Sequence, residues 1–311
     1  ISASFNSAIT IYILIPFLII PQLLLSGVIV KFDKLNPAIT SQSVVPFTGE
    51  IMTSRWAFEA LAVNQFKENH FNHELYKYDK ALSIATYKKD YWLTELNKKL
   101  DNAENNYKNP NNKDEAKDAL QMVHDEITKE LSVPEIKRTH LKCPDLDKLT
   151  LTDFSPTIAN EIRTFLNNLK TYYLNKFKNA ARGKDELVST FTKDSASRAR
   201  YLKLKDDYEN ESLNDLVTNR TTPYRILDLD GKYVQKIDPI YLDPVDSNVG
   251  RAHFFAPRKK IFGRFYDTYW VNIAVIWIMS LGLAIALYFD LLKKFILFLE
   301  NLFSKFNRSN T

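Results

Sequence analysis

Two stretches without a charged side chain limit what this chain can fold into. Asp, Glu, Lys, Arg and His are absent from Ile1 to Val30 and again from Thr268 to Phe289. A bilayer core takes about 20 mainly apolar residues as a helix, each rising about 1.5 Å. Ala8 to Val30 and Trp270 to Phe289 both reach that length and read as membrane-spanning helices. The alternative for the first is the buried core helix of a soluble protein. The average composition, 45% hydrophobic and 25% charged over 311 residues, conceals this partition. The net charge of +5 is small and its signs are interspersed, so nucleic acid is not an indicated partner. Cys143 is the single cysteine, which argues against a disulfide-stapled scaffold.

Within the first stretch, Pro16 and Pro21 would each delete a helical hydrogen bond. Membrane helices tolerate such defects where neighbours re-satisfy the freed carbonyls, so a kinked helix inside a bundle is expected, with Gln22 facing protein. The second stretch is flanked by Tyr266, Tyr269, Trp270 and Tyr288, rings suited to the two interfaces. Its Ser280, Gly282, Ala284 and Ala286 would let another helix approach closely. Orientation by charge is a tie: Arg258, Lys259, Lys260 and Arg264 precede this span, and Lys293, Lys294, Lys305 and Arg308 follow it. A large polar region translocates largely regardless of charge, which puts the tail in the cytoplasm and the central region outside an inner or plasma membrane. In the tail, Leu291, Leu292, Phe295, Leu299, Leu302 and Phe306 recur at helical spacing between lysines. Residues 291–311 therefore read as an amphipathic interfacial helix, or else as a longer last helix that frays.

The polar region is mainly helical by periodicity. Leu75, Tyr78, Leu82, Ala85, Trp92, Leu96 and Leu100 make one long stripe, interrupted where Lys89 falls. The run NNYKNPNNKD breaks it, and Ala116, Leu120, Val123, Ile127 and Leu131 form a second, so an antiparallel helical hairpin is expected. Ser155-Pro156 starts a third helix expected to end near Gly183, and shorter helices are expected over 195–208 and 212–219. In ILDLDGKYVQKI, Asp230-Gly231 marks the turn of a small β-hairpin. The fold class is thus a mainly α membrane protein, two transmembrane helices flanking a largely helical extracytoplasmic domain.

Few residues offer chemistry. His70 and His73, with His140 and Cys143, have permissive zinc spacing but lie far apart in sequence, and no metal site is assigned. The acidic run Asp206, Asp207, Glu209, Glu211 follows the basic run Arg198, Arg200, Lys203, Lys205, as on a solvated helix face. There is no phosphate loop, nucleophile elbow or HExxH, so no catalytic residue is assigned. Asp228, Asp230 and Gly231 lack the further ligands of a calcium loop.

The join between the first apolar stretch and the polar region carries more. LSGVIVKFDKL and then VVPFTGEIMTSRWAFEALAVNQF resemble the membrane part of ABC transporters of the G subfamily, the ABC-2 type permeases. In that family the fifth transmembrane helix ends in Ser-Gly and two bulky aliphatics, here Ser26, Gly27, Val28 and Ile29. A re-entrant external helix pair follows, carrying a Trp, an aromatic-Glu-Ala-Leu and an Asn-Glu-Phe, here Trp56, Phe58, Glu59, Ala60, Leu61, Asn64, Gln65 and Phe66. The resemblance covers the first 66 residues and, by position, the last span. Gln65 stands for the usual Glu, Val-Ile for Leu-Leu, and a large insert for a short external loop.

The resemblance implies a division into a fifth-helix-like span (1–30), a re-entrant segment (31–66), an inserted helical domain (67–267), a last span (268–290) and a cytoplasmic tail (291–311). It implies an ATP-driven exporter moving an amphipathic or lipid-like substrate by alternating access, as a homo- or heterodimer in the bilayer. No cofactor is assigned to this chain. Mg-ATP would bind an upstream nucleotide-binding domain in cis, since the chain lacks an initiator Met and reads as a fragment. Val28 and Ile29 then look like the extracytoplasmic valve, and Phe17, Ile20 and Leu23 like the wall of the substrate cavity, although bundle packing or lipid contact would use the same residues. Glu59, in a segment expected to dip toward the membrane, needs a partner, and Arg55 is the nearest at i,i+4. The alternative reading is a two-span receptor or anchor with a helical ligand- or partner-binding domain. A receptor of that design would carry an output module where only a short basic tail is seen.

Overall fold

The structure is a computed structural model that describes residues 5, 7–27, 29–32, 35, 41, 43–244 and 249–308, with side chains described as far as residue 299. It is mainly helical. The elements in chain order are α1 (Ala8–Leu24), α2 (Phe47–Glu50), α3 (Thr53–Lys67), α4 (Asn72–Thr86), a π-helical turn (Tyr87–Trp92), α5 (Leu93–Asn106), α6 (Lys113–Leu131), α7 (Pro134–Lys137), α8 (Pro156–Phe191), α9 (Ser195–Tyr208), α10 (Glu211–Thr218), β1 (Ile226–Leu229), β2 (Lys232–Gln235), β3 (Arg258–Ile261), β4 (Arg264–Asp267), α11 (Thr268–Tyr288) and α12 (Leu291–Arg308). They fall into two compact units, Ile1–Asn64 with Asp243–Thr311, and Gln65–Leu242. Asp243 to Asp267, which the resemblance would assign to the insert, falls in the unit that holds the apolar helices.

Among the described residues one helix, α11, is long and apolar enough to cross a membrane. α1 is apolar but has 17 residues, about 26 Å of helix against a hydrocarbon core of about 30 Å. The expected run to Val30 stops early for a local reason. The Ser26 hydroxyl donates to Leu23 O at 2.7 Å, and Gly27 turns the chain at φ +77°. A Cβ on Gly27 would lie 2.6 Å from the Phe32 ring, so both the left-handed backbone and the close approach require glycine. The helix continues through Pro16 and Pro21.

In the second unit, α4, the π turn and α5 are continuous, as the long stripe implied, but they do not bury a single face. The break at Lys89 coincides with the π turn, whose i→i+5 bonding turns the following residues to a new direction. α4 then packs mainly on α8, while α5 buries Leu93, Leu96, Leu100 and Ala103 chiefly against α6. The α5–α6 pair is the expected hairpin. Two carboxylates interrupt the α6 stripe without leaving the core. Glu126 accepts from Trp92 Nε1 at 2.6 Å and from the Tyr233 N–H at 3.1 Å, and Glu130 is held by Lys88 and the Tyr173 hydroxyl.

Ser155 caps α8, its hydroxyl accepting from the Ile158 N–H, with Pro156 in the first turn as expected. The helix does not stop at Gly183 but runs on to Phe191. That glycine marks a close packing point, not an end: a Cβ there would lie 2.6 Å from Tyr78 Cε1 on α4. β1 and β2 pair around Asp230 and Gly231, both at positive φ, the signature of a type I′ turn. The β3–β4 hairpin was not expected. Its turn has the same signs of φ but places Phe262 at +47° before Gly263, a position aromatic residues rarely adopt.

Replacing Gly183 with Ala should lower the midpoint of thermal unfolding despite the gain in helix propensity. In a Tyr78→Ala background the same change should stabilise by about 1 kcal/mol. Equal effects in both backgrounds would show that the two helices do not meet there.

Candidate functional site

The most unusual chemistry lies in the first unit, where four ionisable side chains converge with little or no access to water. On α3, Arg55 and Glu59 are one turn apart and share a face. Both are fully buried, as is Lys259 on β3. Arg55 Nη1 lies 3.1 Å from Glu59 Oε2, the i,i+4 contact that the sequence implied. Lys259 Nζ approaches the same oxygen at 2.8 Å, and Asn272 Nδ2, from α11, donates to it at 2.8 Å. Asn272 also donates to Trp56 O at 3.1 Å. On its other side the Arg55 guanidinium meets Glu50 of α2, Nη2 to Oε1 at 3.0 Å.

Trp56 completes the cluster. Its indole N–H donates to Glu50 O at 2.7 Å, and its ring lies beneath both cations, 3.9 Å from the Arg55 guanidinium carbon and 4.5 Å from Lys259 Nζ. Two carboxylates and two cations balance in charge. Burial alone would raise the Glu59 carboxyl, but Lys259 and Arg55 outweigh it and hold the group below its ordinary value. Glu50 goes the other way, because its burial outweighs the attraction of Arg55. Burial likewise lowers the Lys259 ammonium. Glu59 is therefore an ionised group saturated on one oxygen by three donors, unsuited to general-base chemistry and suited to holding elements together. Its Oε1 and the Asn272 Oδ1 are buried without a hydrogen-bond partner among the described residues, so the network is tight but incompletely satisfied.

The same helix reaches along both apolar helices. Near its start, the Thr53 hydroxyl lies 3.8 Å from the Met279 sulfur, midway along α11. Ser54 donates to Gln22 O, near the end of α1, at 3.2 Å. From Met279 back to Asn272 is about 10 Å of α11, and from Thr53 to Glu59 about 9 Å of α3. α3 thus lies antiparallel beside the N-terminal half of the membrane-length helix, with its start level with that helix's midpoint and its charged cluster near the helix's N-terminal end.

The remaining predicted residues are dispersed. Phe58 enters an aromatic cluster with Phe254 and Phe255, at centroid distances of 6.4 and 6.1 Å, and Phe254 in turn meets Phe32 edge-on at 5.1 Å. Asn64 is half-buried, and Phe66 is buried in the second unit against Tyr241. Phe17, Ile20 and Leu23 are exposed on α1, which has no buried residue. Val28 lies outside the described residues. Ile29 lies beyond the end of α1, 63% exposed, instead of on a helix face. Sequence reasoning reached Arg55, Trp56 and Glu59 but missed Lys259 and Asn272, about 200 residues away. Along the sequence Lys259 is only one of the positive charges that flank the last apolar stretch. The histidines and Cys143 are separated: His70 meets the Tyr208 ring, His73 pairs with Glu68 at 2.7 Å, and burial pushes the Cys143 thiol up to about 11. Among the described residues no three metal-ligating side chains come together.

No family model matches the chain, and no curated protein or solved structure matches it.

Glu59→Ala should destabilise the protein by about 3–5 kcal/mol, because it leaves two buried cations facing each other. The Glu59→Leu, Lys259→Met pair should recover most of that loss, since Arg55 keeps Glu50. With the folded carboxyl held low, the stability difference between wild type and Glu59→Gln should be complete above about pH 4.3 and shrink as pH falls through the lower folded value. Thermal unfolding of the solubilised chain across that range checks both.

Proposed function

We propose that this chain is the membrane-embedded permease part of an ATP-driven exporter, working with a second subunit and an ATP-hydrolysing domain that binds Mg-ATP. The observation that carries the reading is the placement of α3: a helix that begins beside the middle of a membrane-length helix and is fastened near that helix's end by a buried ion network. A re-entrant segment of this kind needs internal partners for every charge it takes out of water, and Glu59, Arg55 and Lys259 supply them to one another. α1, short for a bilayer, ends beside the start of α3, where Ser54 donates to Gln22 O, so in this reading its Ser26-Gly27 turn lies inside the pathway along the spans, below its outer opening.

In this reading Phe17, Ile20 and Leu23 supply an apolar wall for an amphipathic or lipid-like substrate, and their exposure leaves them available to a second subunit. Val28 and Ile29 close the outer end. The ion network ties α3, the β3–β4 hairpin and α11 together, so in this reading displacement of α11 carries the re-entrant helix with it. Residues 65–242 are then an extracytoplasmic elaboration.

The whole gene product, purified from membranes and reconstituted, should hydrolyse Mg-ATP alone or with a copurifying partner. Replacing Val28 and Ile29 with Ala should raise basal hydrolysis severalfold while reducing export. If both values stay unchanged the valve assignment is removed, and if neither the protein nor its partners hydrolyse ATP the exporter is removed.

A further inference from the structure

The chain after the membrane-length helix has its own geometry. Asp290 adopts φ +51°, its N–H bonding back to Leu287 O at 3.1 Å while its own carbonyl accepts from the Lys294 N–H at 3.0 Å. This left-handed residue ends α11 and starts α12 in a new direction, so the tail is a separate helix and not a frayed extension of the span. At about 100° per residue, Leu291, Phe295, Leu299, Leu302 and Phe306 fall within one sector of α12 that, with its apolar neighbours, is roughly 160° wide. Lys293, Glu300, Ser304 and Arg308 fall opposite. Leu297 is the one apolar residue out of place. Leu291 is 48% exposed and Phe295 57%, so the described part of this sector is not covered by the chain's own core.

We propose that α12 lies in the plane of the bilayer surface and binds anionic lipid headgroups, with the Leu291–Phe295–Leu302 sector toward the acyl chains. Three features select this occupant. Only Phe289 and Asp290 separate the helix from the end of a membrane-length helix, so it emerges at an interface. Its width of apolar surface suits shallow burial, while its lysines are too many for a span. Four basic residues, Lys293, Lys294, Lys305 and Arg308, stand against Glu300, which gives the polar side a net positive charge that complements phosphate headgroups. The inference concerns membrane attachment and holds whether or not the chain transports anything.

The test uses the full chain with Cys143→Ser and a single cysteine at Phe295→Cys or Ser304→Cys, each carrying an environment-sensitive fluorophore. The proteins are reconstituted in vesicles of phosphatidylcholine alone or mixed with phosphatidylglycerol, with and without a lipid-borne nitroxide quencher. The label at position 295 should shift to the blue and be quenched, and that at 304 should do neither. In the anionic vesicles, each of Lys293, Lys294 and Lys305 changed to Gln should reduce the docked fraction relative to the undocked about fivefold, and added salt should act in the same direction. A 295 label that the lipid quencher does not reach, whether it sits in water, against a second copy or against another domain, overturns the surface helix. Quenching that is equal in both vesicle types and indifferent to the lysines overturns the headgroup preference.

Discussion

A carboxylate without access to water anchors the first unit. Glu59 gathers a guanidinium from its own helix, an ammonium from a hairpin 200 residues later and an amide from the membrane-length helix onto one oxygen. Buried ion pairs are seldom a bargain in stability, because desolvation takes back most of the Coulombic gain. What they do impose is geometry: Lys259 cannot be withdrawn without leaving Glu59 underpaired, and Asn272 fixes the rotation of α11 relative to α3. An apolar contact between the same elements would permit sliding. The aromatic cluster around Phe254 and the glycine under Phe32 then pack a frame that the charges have already registered.

The two units obtain their order by different means. In Gln65–Leu242 ordinary helix packing dominates, with Leu96, Leu100, Val123, Ile127 and Ile162 fully buried. Its buried Glu126 and Glu130 tie α6 to Trp92, Lys88 and Tyr173 as secondary fastenings. In the first unit α1 and the length of α11 have little protein around them, and the interior is concentrated where α3, the β3–β4 hairpin and the start of α11 meet.

What the sequence made legible was local. The Ser155-Pro156 start, the Asp230-Gly231 turn, the α5–α6 hairpin and the Arg55–Glu59 contact each depend on residues within a few positions of one another. The misread features depend on something remote. Gly183 looked like a helix end because a glycine's neighbour across the helix, Tyr78, is not visible along the chain. Lys259 looked like an interfacial charge because nothing near it in sequence is its partner. The β3–β4 hairpin was hidden by an aromatic residue in a left-handed turn position, and the shortness of α1 by apolar residues that continue past the turn at Gly27.

The burial of Lys259 also changes how the ends of α11 look to a charged surface. Counted along the chain, four basic residues precede the helix and four follow it. Folding takes Lys259 into an internal counter-ion, and Arg258 into a two-pronged contact with Asp243, at 3.0 Å for one of its prongs. Two of the four upstream cations are thereby matched from within, whereas in the downstream helix Lys293 and Lys294 stay exposed. A linear tally that balances thus becomes uneven once the chain is folded, because the fold withdraws cations from one end of α11 that a count along the chain still credits to it.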